Sequence, residues 1–144
     1  MLFVKDNLIT FPLNQFSFPD DIEAFCIELN LRKSKWLICC CYNPHRKLIK
    51  NHIIEIERAI NFYSKTYENI IVLGDFNAEI SQPDLASFCA IYNLKSLINE
   101  PTCYKNPDNP STIDLILTNC SNHFQESSVF ETGLSDFHKM IDCF

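Results

Sequence analysis

The chain has 144 residues and 47% hydrophobic content, which suits one globular domain with its own core and excludes a disordered polymer. Its formal net charge of -6 argues against a surface that neutralises nucleic-acid phosphates everywhere. Arg32, Lys33, Lys35, Arg46, Lys47 and Lys50 gather in the first third, either as a local basic patch or as solvated side chains on loops.

The longest apolar run, WLICCCY, is too short to span a bilayer, and no basic stretch followed by an apolar segment opens the chain. Neither membrane insertion nor secretion is signalled, and an intracellular location, cytoplasm or nucleus, is expected. Among the eight cysteines no C-x-x-C pair occurs, and Cys39, Cys40 and Cys41 are consecutive. Adjacent strand residues point to opposite faces, so the triplet cannot converge on one zinc ion. Buried free thiols are expected instead.

In chain order, LFVKDNLITF reads as a short opening strand. EAFCIELNL alternates Phe25, Ile27 and Leu29 with Cys26, Glu28 and Asn30, the pattern of a half-buried strand. LRKSK is a polar turn into WLICCCY, a continuous apolar run suited to a strand covered on both faces, and the two strands form an antiparallel hairpin closed by Pro44. The period then changes. Ile49, Ile53, Ile56, Ile60, Tyr63 and Tyr67 recur at steps of three and four, predicting a helix of about five turns.

NIIVLGDFN predicts the next strand, PDLASFCAIYNL a second helix, and NEPTCYKNPDNPST a loop whose prolines and asparagines set turns. TIDLILTN is a further apolar strand. The remainder predicts a short strand, a loop pivoting on Gly133, and a final strand that stops almost as soon as it begins. No repeat or low-complexity linker divides the chain.

Strands alternating with helices place functional loops at the strands' carboxyl ends, where Gly74-Asp75-Phe76-Asn77 lies. In extended geometry Asp75 and Asn77 share a side while Phe76 enters the core, and Gly74 leaves the backbone open to approach. A carboxylate that orients or deprotonates water, beside an amide that donates to charged oxygens, suits phosphoryl chemistry. A simple turn is the other reading of the same four residues. Asp114, inside an apolar run, needs a partner when buried, and a histidine is the natural one, since the contact fixes the imidazole tautomer.

With Tyr42-x-Pro44, Gly74-Asp75-Phe76-Asn77, Ile113-Asp114-Leu115-Ile116-Leu117 and Leu134-Ser135-Asp136 plus His138 in that order, the chain resembles the endonuclease/exonuclease/phosphatase superfamily, closest to non-LTR retrotransposon endonuclease domains. The resemblance implies an α/β (α+β) architecture, the DNase I-like four-layer sandwich. It covers nearly the whole chain but only the C-terminal two thirds of such a domain, so residues 1–144 are expected to be a partial domain lacking the N-terminal strands.

Carried over residue by residue, Tyr42 is expected at the scissile phosphate and Asp75 at the nucleophilic water, with Asn77 at the transition state and Thr102 at a phosphate. Asp114 is expected to orient His138, the catalytic histidine, and Asp136 to serve the metal site. The cofactor implied is Mg2+ (or Mn2+), with DNA as the parent protein's partner and a reverse transcriptase domain downstream. The family's principal metal-binding glutamate has no counterpart before Tyr42, where Glu23 opens a hairpin strand. A superfamily phosphatase or phosphodiesterase acting on a small phosphorylated substrate is the alternative enzyme, and a non-catalytic gene remnant the alternative outside catalysis. Ser135-Asp136-Phe137-His138 also holds one residue more than the family's Ser-Asp-His, which on a regular strand turns the histidine to the opposite face unless a bulge absorbs it.

Overall fold

The computed structural model describes residues 8–31, 34–44 and 48–144. Among the described residues eight strands and two α-helices form in the order β1 (Ile9–Leu13), β2 (Glu23–Leu31), β3 (Ser34–Tyr42), α1 (Ile49–Tyr63), β4 (Asn69–Asp75), α2 (Pro83–Ile91), β5 (Lys95–Ser96), β6 (Asp114–Thr118), β7 (Ser127–Phe130) and β8 (Met140–Cys143). The main sheet has the order β1-β2-β3-β4-β6-β5, and β7-β8 make a second sheet. Among the described strands only β3 and β4 run parallel, because α1 carries the chain back between them. The predicted hairpin of β2 and β3 is antiparallel with Glu23 opposite Tyr42. Pro12 sits in β1, the sheet edge, where a missing N–H costs no central ladder bond.

Both faces of the main sheet are covered, and the pleat sorts side chains between them. Leu37, Cys39, Cys41, Val72, Leu115 and Leu117 pack on one face beneath Ile53, Ile56 and Ile60 of α1 and Leu85 and Phe88 of α2. Trp36, Ile38, Cys40, Ile71 and Ile116 face the other way, toward Val129 of β7 and Ile141 and Cys143 of β8. This is why WLICCCY reads as continuous rather than alternating: residues 36–41 are all buried. All eight cysteines are free thiols.

Three sequence readings are corrected. The opening strand runs later than expected, over Ile9–Leu13, and residues 1–7 lie outside the described residues. The five-turn helix stops at Tyr63, although Tyr67 remains buried: its N–H still reaches the Tyr63 carbonyl at 3.2 Å, and its hydroxyl donates to Glu28. On β2 the better-buried face carries Cys26 and Glu28, while Phe25 is 48% exposed, because the two-stranded second sheet does not extend over Phe25. Glu28 tolerates burial through partners, with Tyr67, Asn30 and Lys35 donating to its carboxylate. Lys35 is thus an ion-pair partner of Glu28, whereas Arg32, Lys33, Arg46 and Lys47 of the basic cluster lie outside the described residues. The strand β5 was not legible in the sequence; two residues carry no period.

Candidate active site

A row of side chains crosses the main sheet at one level. Tyr42 is the register partner of Asp75, and Asp75 is the partner of Asp114. Directly opposed residues share a face, so three of the expected site residues stand side by side at the carboxyl ends of β3 and β4. Gly74, just before Asp75, has φ +144°, and a Cβ there would lie 1.8 Å from the Cys41 carbonyl oxygen. What approaches this glycine is the neighbouring strand, which sets the row at close spacing.

Beyond β4 the chain leaves extended geometry. Phe76 is fully buried as expected, and its N–H donates to the Ile113 carbonyl at 2.9 Å. Asn77 has φ 47°, in the left-handed region that asparagine tolerates, and its backbone N–H donates to Asp75 Oδ1 at 2.9 Å. The turn reading of Gly-Asp-Phe-Asn is the one observed, and the Asx turn, rather than the strand pleat, brings Asp75 and Asn77 together.

Asn43, to which sequence reasoning assigned no role, holds this turn. Its N–H donates to the Asp75 carbonyl at 2.8 Å and its Nδ2 to the Phe76 carbonyl at 2.9 Å, while its own carbonyl accepts from Asn77 Nδ2 at 2.7 Å. The only signal was its place between Tyr42 and Pro44 at a strand end.

The expected partner of Asp114 is found. His138 Nδ1 lies 3.0 Å from Asp114 Oδ2, an arrangement in which the ring donates its Nδ1 proton to the carboxylate and keeps Nε2 as the acceptor. Cys103 Sγ lies 3.6 Å from that Nε2. The extra residue before His138 is absorbed by a turn in which Ser135 Oγ accepts from the N–H groups of Phe137 (3.3 Å) and His138 (3.0 Å). The histidine then joins Cys103 in an antiparallel bridge, facing Asp114 despite the insertion.

Thr102 and Asp136 stand apart from the row. Thr102 is fully buried, and its Oγ1 accepts from the N–H groups of Ile113 (3.2 Å) and Asp114 (3.0 Å). Here it anchors the backbone that carries Asp114. Asp136 is exposed on the 131–139 loop, outside the one group of potential metal ligands among the described residues, which is Asp75, Asp114 and His138 with ligand atoms all within 4.8 Å of one another. Two carboxylates fit a hard divalent ion such as magnesium or manganese, and an imidazole is better matched to manganese than to magnesium. The nearby thiols do not suit such a site: burial pushes Cys40 up to about 12 and Cys41 further in the same direction, with Asp75 adding to the latter.

The endonuclease-reverse transcriptase family model matches residues 36–141. No curated protein matches the chain in sequence. Among solved structures, the endonuclease domain of TRAS1, a telomere-specific non-LTR retrotransposon, superposes with a TM-score of 0.76 at 16% identity, covering 94% of this chain and 65% of that one. An endonuclease/exonuclease/phosphatase family protein from Leptotrichia buccalis gives a TM-score of 0.64 at 16% identity, covering 95% and 59%. Staphylococcus aureus beta toxin with bound magnesium ions gives 0.51 at 12% identity, covering 84% and 54%. The fold is thus the DNase I-like one, and the chain spans 65% of the TRAS1 domain and 59% of the Leptotrichia protein.

Proposed function

Because the chain belongs to the endonuclease-reverse transcriptase family, we propose that it carries the acid–base part of a metal-dependent phosphodiester hydrolase, whose whole-protein activity is DNA nicking in an element that also encodes a reverse transcriptase. The observation that supports this reading is the meeting of Asp75, Asp114 and His138, far apart in sequence, within 4.8 Å.

Each residue has work suited to its surroundings. Asp75, steadied by the Asn77 N–H, orients the attacking water. Asn77 spends one Nδ2 hydrogen on the Asn43 carbonyl and has the other for a phosphoryl oxygen. His138, fixed by Asp114, donates or accepts a proton at Nε2, and a substrate must displace the Cys103 thiol from that nitrogen. Tyr42, 39% exposed beside Asp75, offers a hydroxyl to the phosphate. Asp75 and Asp114 would hold a divalent ion, magnesium or manganese, which would supply positive charge against the charge that develops on phosphoryl oxygens.

Glu23 is level with Tyr42 in the same row. It stands two strands from Asp75 and is not one of the grouped ligands, which are Asp75, Asp114 and His138. The metal shell offered by this chain is accordingly thin, and magnesium, which dehydrates reluctantly, should bind weakly.

The test is nicking of supercoiled plasmid in magnesium. The 144-residue chain is expected to give none, and a version extended upstream to supply the family's metal-binding glutamate should nick. Asp75→Ala or His138→Ala in the extended version should abolish cleavage. Failure of the extended version to cut, or cutting that survives both substitutions, would refute the assignment.

A further inference from the structure

The residue by which the chain departs from its family, Phe137, is tied by backbone hydrogen bonds beside the candidate histidine with its ring half-exposed. Its N–H donates to Ser135 Oγ at 3.3 Å and its carbonyl accepts from the Tyr104 N–H at 2.8 Å, so the backbone is tied on both sides. The side chain nonetheless remains 50% exposed and makes no ring contact among the described residues. Leu134, in the same loop, is 85% exposed. A pre-ordered exposed aromatic loses little freedom when a ligand covers it, which favours recognition over packing.

The surroundings narrow the ligand. Phe137 and His138 line a depression of about 150 Å³ with Tyr104, Glu131, Asp136 and Lys139. That volume is below the range of drug-sized ligand sites and suits one flat ring. Of the two aromatics, Tyr104 has one face covered by the Lys139 ammonium, 4.2 Å from its centroid, which leaves Phe137 as the more open platform. The charges are mixed: Glu131 and Asp136 are acidic, and Lys139, itself 3.8 Å from Glu131, is the only lysine of the lining. Such a site attracts a backbone phosphate weakly and a neutral π face well.

We propose that Phe137 is a stacking platform for a nucleobase next to the phosphodiester that His138 serves, so that the substrate is a nucleic acid with an unstacked base at that position. This rests on the phosphodiester-hydrolase reading of the site. Stacking on one aromatic is sequence-tolerant, because every base has a π face, and its contribution changes little with salt.

The experiment is fluorescence anisotropy of the full 144-residue chain with a labelled single-stranded oligonucleotide, without turnover. Phe137→Ala should weaken binding by about tenfold, the order expected for one base–aromatic stack. Phe137→Trp should keep or improve it, and Phe137→Leu should resemble the alanine variant, which separates stacking from simple apolar contact. The loss should persist between low and moderate salt. Equal affinity of Phe137→Ala and wild type, a fully competent Phe137→Leu, or no binding by the wild type would each overturn the proposal. Hydrolysis of bis(p-nitrophenyl) phosphate by the upstream-extended version in manganese, a diester without a nucleobase, reports on the underlying reading separately: it should be lost in His138→Ala.

Discussion

The Cys41 carbonyl occupies the space where a side chain on Gly74 would stand, 1.8 Å from the position of a Cβ. The contact lies between β3 and β4, one residue before Tyr42 and Asp75 pair, and it makes the glycine a requirement of the row rather than of a ligand. Gly74→Ala should cost several kcal/mol through backbone displacement and an unfavourable φ, and prevent soluble expression. Gly133→Ala is the matched control, since nothing lies within 4 Å of its Cβ position and only φ +71° opposes it, a cost of about 1–2 kcal/mol. Soluble yield and chemical denaturation midpoints of the two variants check the order.

Glu28 links stability to pH. The Tyr67 hydroxyl is the main cause that holds its carboxyl below the ordinary value of 4.5, with Lys35 and Asn30 assisting and burial opposing. A carboxyl with a depressed folded-state value contributes stability that is fully present above the unfolded value and is lost as pH falls through the folded one. Stability should therefore decline on acidification below about 4.5. Tyr67→Phe, which removes a hydrogen bond to a charged group, should cost about 1.5–3 kcal/mol at neutral pH and reduce that slope. Urea midpoints from pH 7 to 3 measure both effects.

Thr102 acts on the dyad through Asp114. Thr102→Val keeps the shape but takes the acceptor from two backbone N–H groups, a loss of about 1–3 kcal/mol. Asp114 should then shift, and the His138 Nδ1 proton should exchange faster in NMR spectra. Thr102→Ser, which retains the oxygen, should restore the slow exchange. A valine variant with wild-type stability and exchange would remove Thr102 from the site's support.

The apolar groove lined by Phe25, Cys40, Tyr42 and Leu73 is open to solvent. Exposed apolar surface of this kind drives association. The chain should self-associate at high concentration, and Phe25→Lys, on a side chain that is 48% exposed, should raise the concentration at which it remains monomeric. Sedimentation velocity across a concentration series is the check, and a monomeric wild type at high concentration would contradict it.

Much of this molecule was legible in one dimension because local periodicity survives folding. The switch from the continuous run at 36–42 to the stripe beginning at Ile49 identified β3 and α1, since a strand buried on both faces and a helix buried on one demand different spacings of apolar residues. An aspartate within an apolar strand announced a partner, because an unpaired buried carboxylate is too costly to keep. Tertiary structure alone decided which contacts are made: the Cys41 carbonyl at Gly74, the Asn43 clip on the Asp75 turn, Thr102 beneath Asp114, and Cys103 at His138 Nε2. Each is a single pairing between segments separated along the chain. Such pairings leave no period in the sequence and depend on angstrom-scale register between strands. The inserted Phe137 shows the limit most clearly. Strand geometry left open whether the histidine turns away or a bulge absorbs the extra residue, and one serine hydroxyl accepting two backbone N–H groups decides it, converting the insertion into a turn that returns His138 to Asp114.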